Sequence, residues 1–129
     1  MIYLVYRMQL APRAQRDMAG FWNWLEERER WFYRDLPMVK GVRWFSTVIG
    51  QIYTLESWAA FESEADYGAY RAALAKLKKN AEWEAERVSQ GEWWIFLESR
   101  LMSDVPCQAG FGVFGAHNSS HSPAAPTRT

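Results

Sequence analysis

The hydropathy period of this chain switches repeatedly between that of a strand and that of a helix, and the order of the switches limits the folds open to it. From Ile2 to Leu10 the side chains alternate, with Ile2, Leu4, Tyr6 and Met8 on one side and Tyr3, Val5, Arg7 and Gln9 on the other, which predicts a strand. Ala11 and Pro12 end it. Proline suits the first turn of a helix, where its missing amide proton costs nothing, and a helix is predicted from Arg13 to about Arg34. Its apolar stripe is Met18, Phe21, Trp22, Leu25, Phe32 and Leu36, and the mixed-charge block Glu26, Glu27, Arg28, Glu29 and Arg30 reads as its solvated face.

Asp35, Leu36 and Pro37 stop that helix, and Lys40-Gly41 leads into a strand from Val42 to Ile49. Gly50 with Gln51 marks a tight reversal into Ile52 to Glu56, so these two strands form a hairpin. A short helical turn is expected from Trp58 to Glu62. Ser63 followed three residues later by Asp66 resembles a capping box, and Tyr67, Tyr70, Leu74, Leu77, Ala81 and Val88 then keep helical spacing. Ser89, Gln90 and Gly91 close this second helix. From Glu92 to Met102 alternation returns, with Trp93, Ile95, Leu97 and Leu101 opposite Trp94, Phe96, Glu98 and Arg100.

The resulting order, β-α-β-β-α-β, predicts a ferredoxin-like α+β domain: an antiparallel sheet with two helices on one face. With 129 residues and 49% hydrophobic content, the chain suits one core, placed at residues 1–102. Residues 103–129 turn to glycine, serine and proline with almost no charge, the composition of a flexible tail. Within it, Phe111 and Phe114 lie in the glycine-rich run Gly110 to Gly115 and are candidates to dock on the domain or a partner. His117 and His121 have the spacing of helical metal ligands, but Asn118, Ser119, Ser120 and Pro123 oppose a helix, so no metal is expected. Cys107, the single cysteine, reads as a free surface thiol.

Lysine plus arginine (15) equals aspartate plus glutamate (15), so no net field draws a polyanion, and no nucleic-acid partner is expected. Arg7 and Gln9 interrupt the first apolar run, which therefore fails as a signal peptide. No stretch is apolar for long enough to span a bilayer. A cytoplasmic protein without a membrane partner is the expectation.

Two helices cover only one face of such a sheet, so the other face needs polar side chains or another layer of protein. Placing Ile2, Leu4, Tyr6, Trp44, Val48, Tyr53, Leu55, Trp93, Ile95 and Leu97 under the helices leaves Tyr3, Val5, Arg7, Phe45, Thr47, Ile52, Thr54, Trp94 and Phe96 on the open face. Arg43, Glu56, Glu98 and Arg100 join them by parity. That face is too apolar for water, which predicts a homodimer. A one-residue slip in the second strand would exchange Trp44 for Phe45 and Arg43.

The order of elements, the aromatic run Phe21-Trp22-Asn23-Trp24, the segment Val42-Arg43-Trp44-Phe45 and the closing Trp93-Trp94-Ile95-Phe96 together resemble the dimeric α/β-barrel superfamily over Met1 to Met102. This superfamily includes antibiotic-biosynthesis monooxygenase-like, NIPSNAP-like and EthD-like families. The resemblance implies two sheets packed face to face around a small organic ligand. Its members include cofactor-independent oxygenases, lactone isomerases, polyketide cyclases and haem enzymes, as well as proteins without a known reaction. Haem-binding and histidine-dependent members need an imidazole in the domain, and this chain has none before His117. Nor does it carry a nucleophile-histidine pair or a phosphate-binding glycine loop.

What remains is chemistry by carboxylate, guanidinium and phenol groups without a cofactor. Glu98 is the candidate base, with Arg7 or Arg43 as the stabiliser of a developing anion. Tyr3, Phe45, Glu56, Trp94, Phe96 and Arg100 are candidates to hold a flat aromatic substrate. The bland alternative makes Arg7, Glu98, Arg100 and Glu56 cross-strand ion pairs at a dimer seam. Two functions therefore stand: a small enzyme oxygenating, isomerising or cyclising an aromatic or polyketide-like molecule, and a noncatalytic homodimeric module that binds a ligand or protein.

Overall fold

A computed structural model describes residues 1–114 of the chain. Strand β1 (Ile2–Leu10) is followed by helices α1 (Pro12–Arg16) and α2 (Met18–Phe32), then strands β2 (Gly41–Ser46) and β3 (Thr54–Phe61). Helices α3 (Glu64–Leu77) and α4 (Ala81–Ser89) lead through a short 3-10 turn to strand β4 (Trp94–Ser103). The four strands form one antiparallel sheet in the order β2-β3-β1-β4, which is the ferredoxin-like arrangement. No helix of the described residues is long and apolar enough to cross a membrane. His117 and His121, and with them the metal question, lie outside the described residues.

Each expected helix is in fact two, and an acid or amide side chain makes each break. Asp17 ends α1 and caps α2, its carboxylate accepting from the Gly20 amide at 3.0 Å. Asn80 does the same for α4, accepting from the Trp83 amide at 3.0 Å. The cap read at Ser63 is present, with the Asp66 amide donating to its hydroxyl at 3.1 Å. The short helix expected at Trp58 to Glu62 is instead the end of β3, where Trp58 to Phe61 pair with Val5 to Ile2. Pairing along β1 overrides the local reading. The hairpin loop is also longer than expected: residues 47–53 separate β2 from β3, and Tyr53 takes a left-handed φ of 60°. Its carbonyl accepts from the Leu10 amide at 2.8 Å, a bond that holds this conformation in place.

The register bears out the parity read for the middle of the second strand, which ends at Ser46 rather than Ile49: Trp44 pairs with Ser57 on the helix side, while Arg43 and Phe45 pair with Trp58 and Glu56 on the open side. In β4 the reading needs correction. Arg7 pairs with Glu98, but the next residue, Met8, pairs with Phe96, so Leu97 is an extra, bulged residue. The bulge reverses parity towards the start of the strand. Trp94 and Phe96, expected on the open face, lie with Leu10 and Met8 under the helices, while Ile95 turns outward beside Gln9; Glu98 and Arg100 stay on the open face.

The core divides into two clusters between helices and sheet. One joins Met8, Leu10, Leu55 and Trp94 to Ala14, Phe21, Leu25 and Trp93; the other joins Leu4, Ala59 and Phe61 to Phe32, Leu36 and Tyr70. Tyr6, at the middle of β1, packs against both. The seam between the clusters is where the architecture leaves room.

Candidate functional site

The buried side chains of α2 are Phe21, Leu25, Arg28 and Phe32, a single stripe at steps of four, three and four. A guanidinium thus occupies a core position. Arg28 is only 6% exposed, against the expectation that its charged block faces water. Its Nε donates to Gln90 Oε1 at 2.6 Å and its Nη1 to Glu29 Oε2 at 2.8 Å. Glu29 also accepts from the Trp44 indole at 2.8 Å, and Gln90 donates to the Arg87 carbonyl at 2.9 Å. The network ties α2 to β2 and to the turn after α4, so the guanidinium is fixed from two sides.

Aromatic rings complete its surroundings. The guanidinium carbon lies 4.0 Å from the ring centre of Phe32, 5.4 Å from Trp94, 5.5 Å from Tyr33 and 5.9 Å from Trp44. Each such cation–π contact is worth on the order of 1–2 kcal/mol once desolvated, which helps offset the cost of burying the charge. Trp44 and Trp94 stack across the sheet with centroids 5.6 Å apart, and Phe96 leans on Tyr6 at 5.0 Å.

These groups wall a cavity of about 120 Å³ between helices and sheet. Tyr6, Tyr33 and Tyr70 contribute phenols, Trp44, Trp94 and Phe96 contribute rings, and Lys78 and Arg87 stand with Arg28 on its wall. Burial pushes all three phenols above their ordinary pKa, with the charge of Arg28 pulling the other way at each. They are therefore protonated donors at neutral pH. The Trp94 indole N–H is buried and has no hydrogen-bond partner among the described residues. Such an orphan costs roughly 1–3 kcal/mol.

The open face gathers most of the residues singled out from sequence. Arg7 pairs with Glu98 at 3.5 Å, and Arg100 with Glu98 at 3.4 Å and Glu56 at 3.5 Å, a ladder crossing β4, β1 and β3. Arg7 also donates to Gln51 and the Trp58 indole to Glu56. The Glu98 side chain is 44% exposed and flanked by two guanidinium groups, so the subunit by itself gives it no apolar enclosure. Tyr3, Arg43 and Phe45 line a shallow depression of about 570 Å³ with Trp58 and Phe114. Arg43 stands 5.3 Å from the Phe45 ring and 6.0 Å from that of Phe114, which brings the 110–114 segment against this face. The proposed site thus divides: Glu98, Arg7, Arg43, Tyr3, Phe45, Glu56 and Arg100 lie outside, Trp94 and Phe96 inside. Among the described residues no three His, Cys, Asp or Glu side chains gather as metal ligands.

Sequence reasoning missed Arg28, Tyr33 and Tyr70 as a group. For Arg28 the signal was present, since it fills the gap between Leu25 and Phe32 in the apolar stripe.

No family model and no curated protein matches this chain. Solved structures do match it. Protein Atu4242 from Agrobacterium tumefaciens superposes with a TM-score of 0.61 at 18% identity, covering 82% of this chain and 95% of that one. HapK from Hahella chejuensis gives 0.58 at 14% identity over 87% and 100%. An uncharacterized NIPSNAP-like domain protein from Burkholderia xenovorans gives 0.54 at 17% over 81% and 86%. At these identities the likeness is one of fold. It agrees with the resemblance drawn from sequence, and the α+β sheet fits that superfamily.

Proposed function

We propose that this protein is a small enzyme, working without a cofactor, that acts on a ring-bearing aromatic or polyketide-like molecule held between the helix layer and the sheet. One observation carries the reading: a guanidinium buried among rings and protonated phenols on the wall of a cavity. A group fixed in this way stabilises an enolate or phenolate as charge develops on it, without reorganising at the moment of reaction. A neighbouring phenol can donate a proton to the oxygen or receive one from it. Oxygenation, isomerisation and cyclisation of an acidic ring all pass through such an anion, and the choice among them rests with the substrate.

In this proposal the chain works as a homodimer. Phe45, Ile95 and Met102 are exposed on the open face, two of them along the edge strand β4. A second copy laid on the open face would desolvate the Arg7–Glu98–Arg100–Glu56 ladder.

A second reading draws on the depression around Arg43, Phe45 and Trp58: a noncatalytic dimer that holds a flat ligand or a protein segment on its open face. The two readings separate under native mass spectrometry of the purified protein, followed by assay of any retained compound. The enzyme reading expects a dimer whose retained molecule is turned over, with turnover reduced about a hundredfold or more in Arg28→Met. A retained compound that stays unchanged, or turnover indifferent to Arg28, would overturn it.

A further inference from the structure

We infer that the molecule held in the Arg28 cavity is a small planar carboxylate, a single ring bearing one carboxyl group. The inference rests on the reading of that cavity as the binding site and adds the charge and size of the ligand. Three cationic side chains, Arg28, Lys78 and Arg87, stand on its wall, and no carboxylate does. The acids nearest them sit behind: Glu29 takes Nη1 of Arg28, and Glu84 takes Nε and Nη2 of Arg87 at 2.8 and 2.7 Å. The ammonium of Lys78, an exposed residue, makes no hydrogen bond or ion pair with any described residue; Glu84 feels its charge only through space.

Donors outnumber acceptors in the same way. Besides Gln90 and Glu29, Arg28 meets only the Tyr33 hydroxyl, and the Trp94 N–H lacks a partner among the described residues. A carboxylate answers a guanidinium edge with two parallel acceptors and has lone pairs left for an indole or phenol. A neutral ring satisfies none of these donors. The size of the space sets the rest. The enclosed space of about 120 Å³, smaller than the roughly 150 Å³ that accommodates benzene in an apolar core, takes the carboxyl group and the adjoining edge of one ring, and the rest of the ring lies towards the opening. Phe96, at 55% exposure, stands at an open rim where a ring substituent can project. Bicyclic acids and phosphate esters of sugars are too large or too polar for a wall of tryptophan, phenylalanine and tyrosine.

The test titrates the full-length protein with benzoate and with its neutral counterpart benzamide, following the tryptophan indole N–H resonances by NMR. Benzoate is expected to bind about tenfold or more tighter than benzamide, the scale of one charge-assisted hydrogen bond, and to move the Trp94 signal most. Arg28→Met should abolish the preference. If that variant folds poorly, Lys78→Met, on the cavity wall, should weaken benzoate severalfold and leave benzamide unchanged, and Trp94→Phe, which keeps an aromatic ring and removes the donor, should weaken benzoate severalfold. Benzamide binding as tightly as benzoate would overturn the charge assignment alone. Failure of both ligands to move Trp94 at millimolar concentration would overturn the reading of the cavity itself.

Discussion

The two faces of the sheet carry the same chemical vocabulary, arginine with tryptophan, tyrosine and phenylalanine, yet they use it in opposite ways. On the open face Arg7 has Glu98 opposite it on the next strand and Arg100 pairs with Glu98 and Glu56, and the side chains of these two arginines are 34% and 45% exposed. Their charges are matched and hydrated, and such pairs contribute little, about 0–1 kcal/mol each. Under the helices one guanidinium is held by an amide and a single carboxylate among four rings. There the charge is positioned and sheltered. Residue type therefore says less about chemistry than the layer a residue occupies, and strand parity decides the layer.

The sharpest way to test this contrast is to truncate one tryptophan in each layer. Trp94→Ala should cost roughly 3–5 kcal/mol, since Trp94 is 2% exposed and packs on Phe21, Trp24 and Trp44. Trp58→Ala, half-buried on the open face, should cost only about 1–2 kcal/mol in a single subunit. Urea unfolding of the two variants measures the difference. If a second copy covers the open face, the Trp58 variant gains a concentration dependence that the Trp94 variant lacks, and equal costs at every concentration would erase the distinction between layers.

High pH separates the layers next. The phenols of Tyr33 and Tyr70 are raised by burial above the ordinary value of 10.0. Above that value the unfolded chain gives up these protons while the native chain keeps them, so the unfolded state binds fewer protons and stability falls as pH rises. The stabilising effect is complete below pH 10 and fades towards the higher native values. A loss on the order of 2 kcal/mol between pH about 10 and 11.5 is expected from Tyr70, and Tyr33 acts in the same direction. Chemical denaturation across that range should show it, and Tyr70→Phe should flatten the slope; an unchanged slope in that variant would mean that the inner phenols are wetter than the cavity implies.

The smallest effect belongs to the ladder. Glu98→Gln removes the negative charge shared by Arg7 and Arg100, and in an isolated subunit stability should move by no more than about 1 kcal/mol. The same substitution tests Glu98 as a base, because loss of turnover with an intact dimer would return the chemistry to the open face. Turnover that survives would leave Glu98 a surface ion-pair partner.

Much of this arrangement was legible before any coordinates. Alternation and helical spacing gave the element order, and the parity of β1 and β2 put Trp44 inside and Arg43 and Phe45 outside. Several of the failures concern a single residue that interrupts or fills a period. Asp17 and Asn80 compete for backbone amides and restart a helix where periodicity runs through them. Leu97 adds one residue to β4 with no glycine or proline to announce it, and so misplaces Trp94 and Phe96. Arg28 was assigned to solvent by its neighbours, whereas its position in the stripe of Phe21, Leu25 and Phe32 pointed to the core. Tyr70 keeps the helical spacing of its stripe and Tyr33 carries no such signal; proximity in the fold alone makes them partners of Arg28.

The extra residue in β4 also makes that strand unusually sensitive to changes in length. Upstream of Leu97 the strand furnishes the inner chamber, and downstream it furnishes the surface offered to another molecule. Excising this one leucine would turn Trp94 and Phe96 out of the chamber or drive Glu98 and Arg100 beneath the helices. A substitution at the same position alters neither half. Within this strand, spacing is therefore under tighter constraint than side-chain identity, and gain or loss of one codon there would move one half of the strand to the opposite layer.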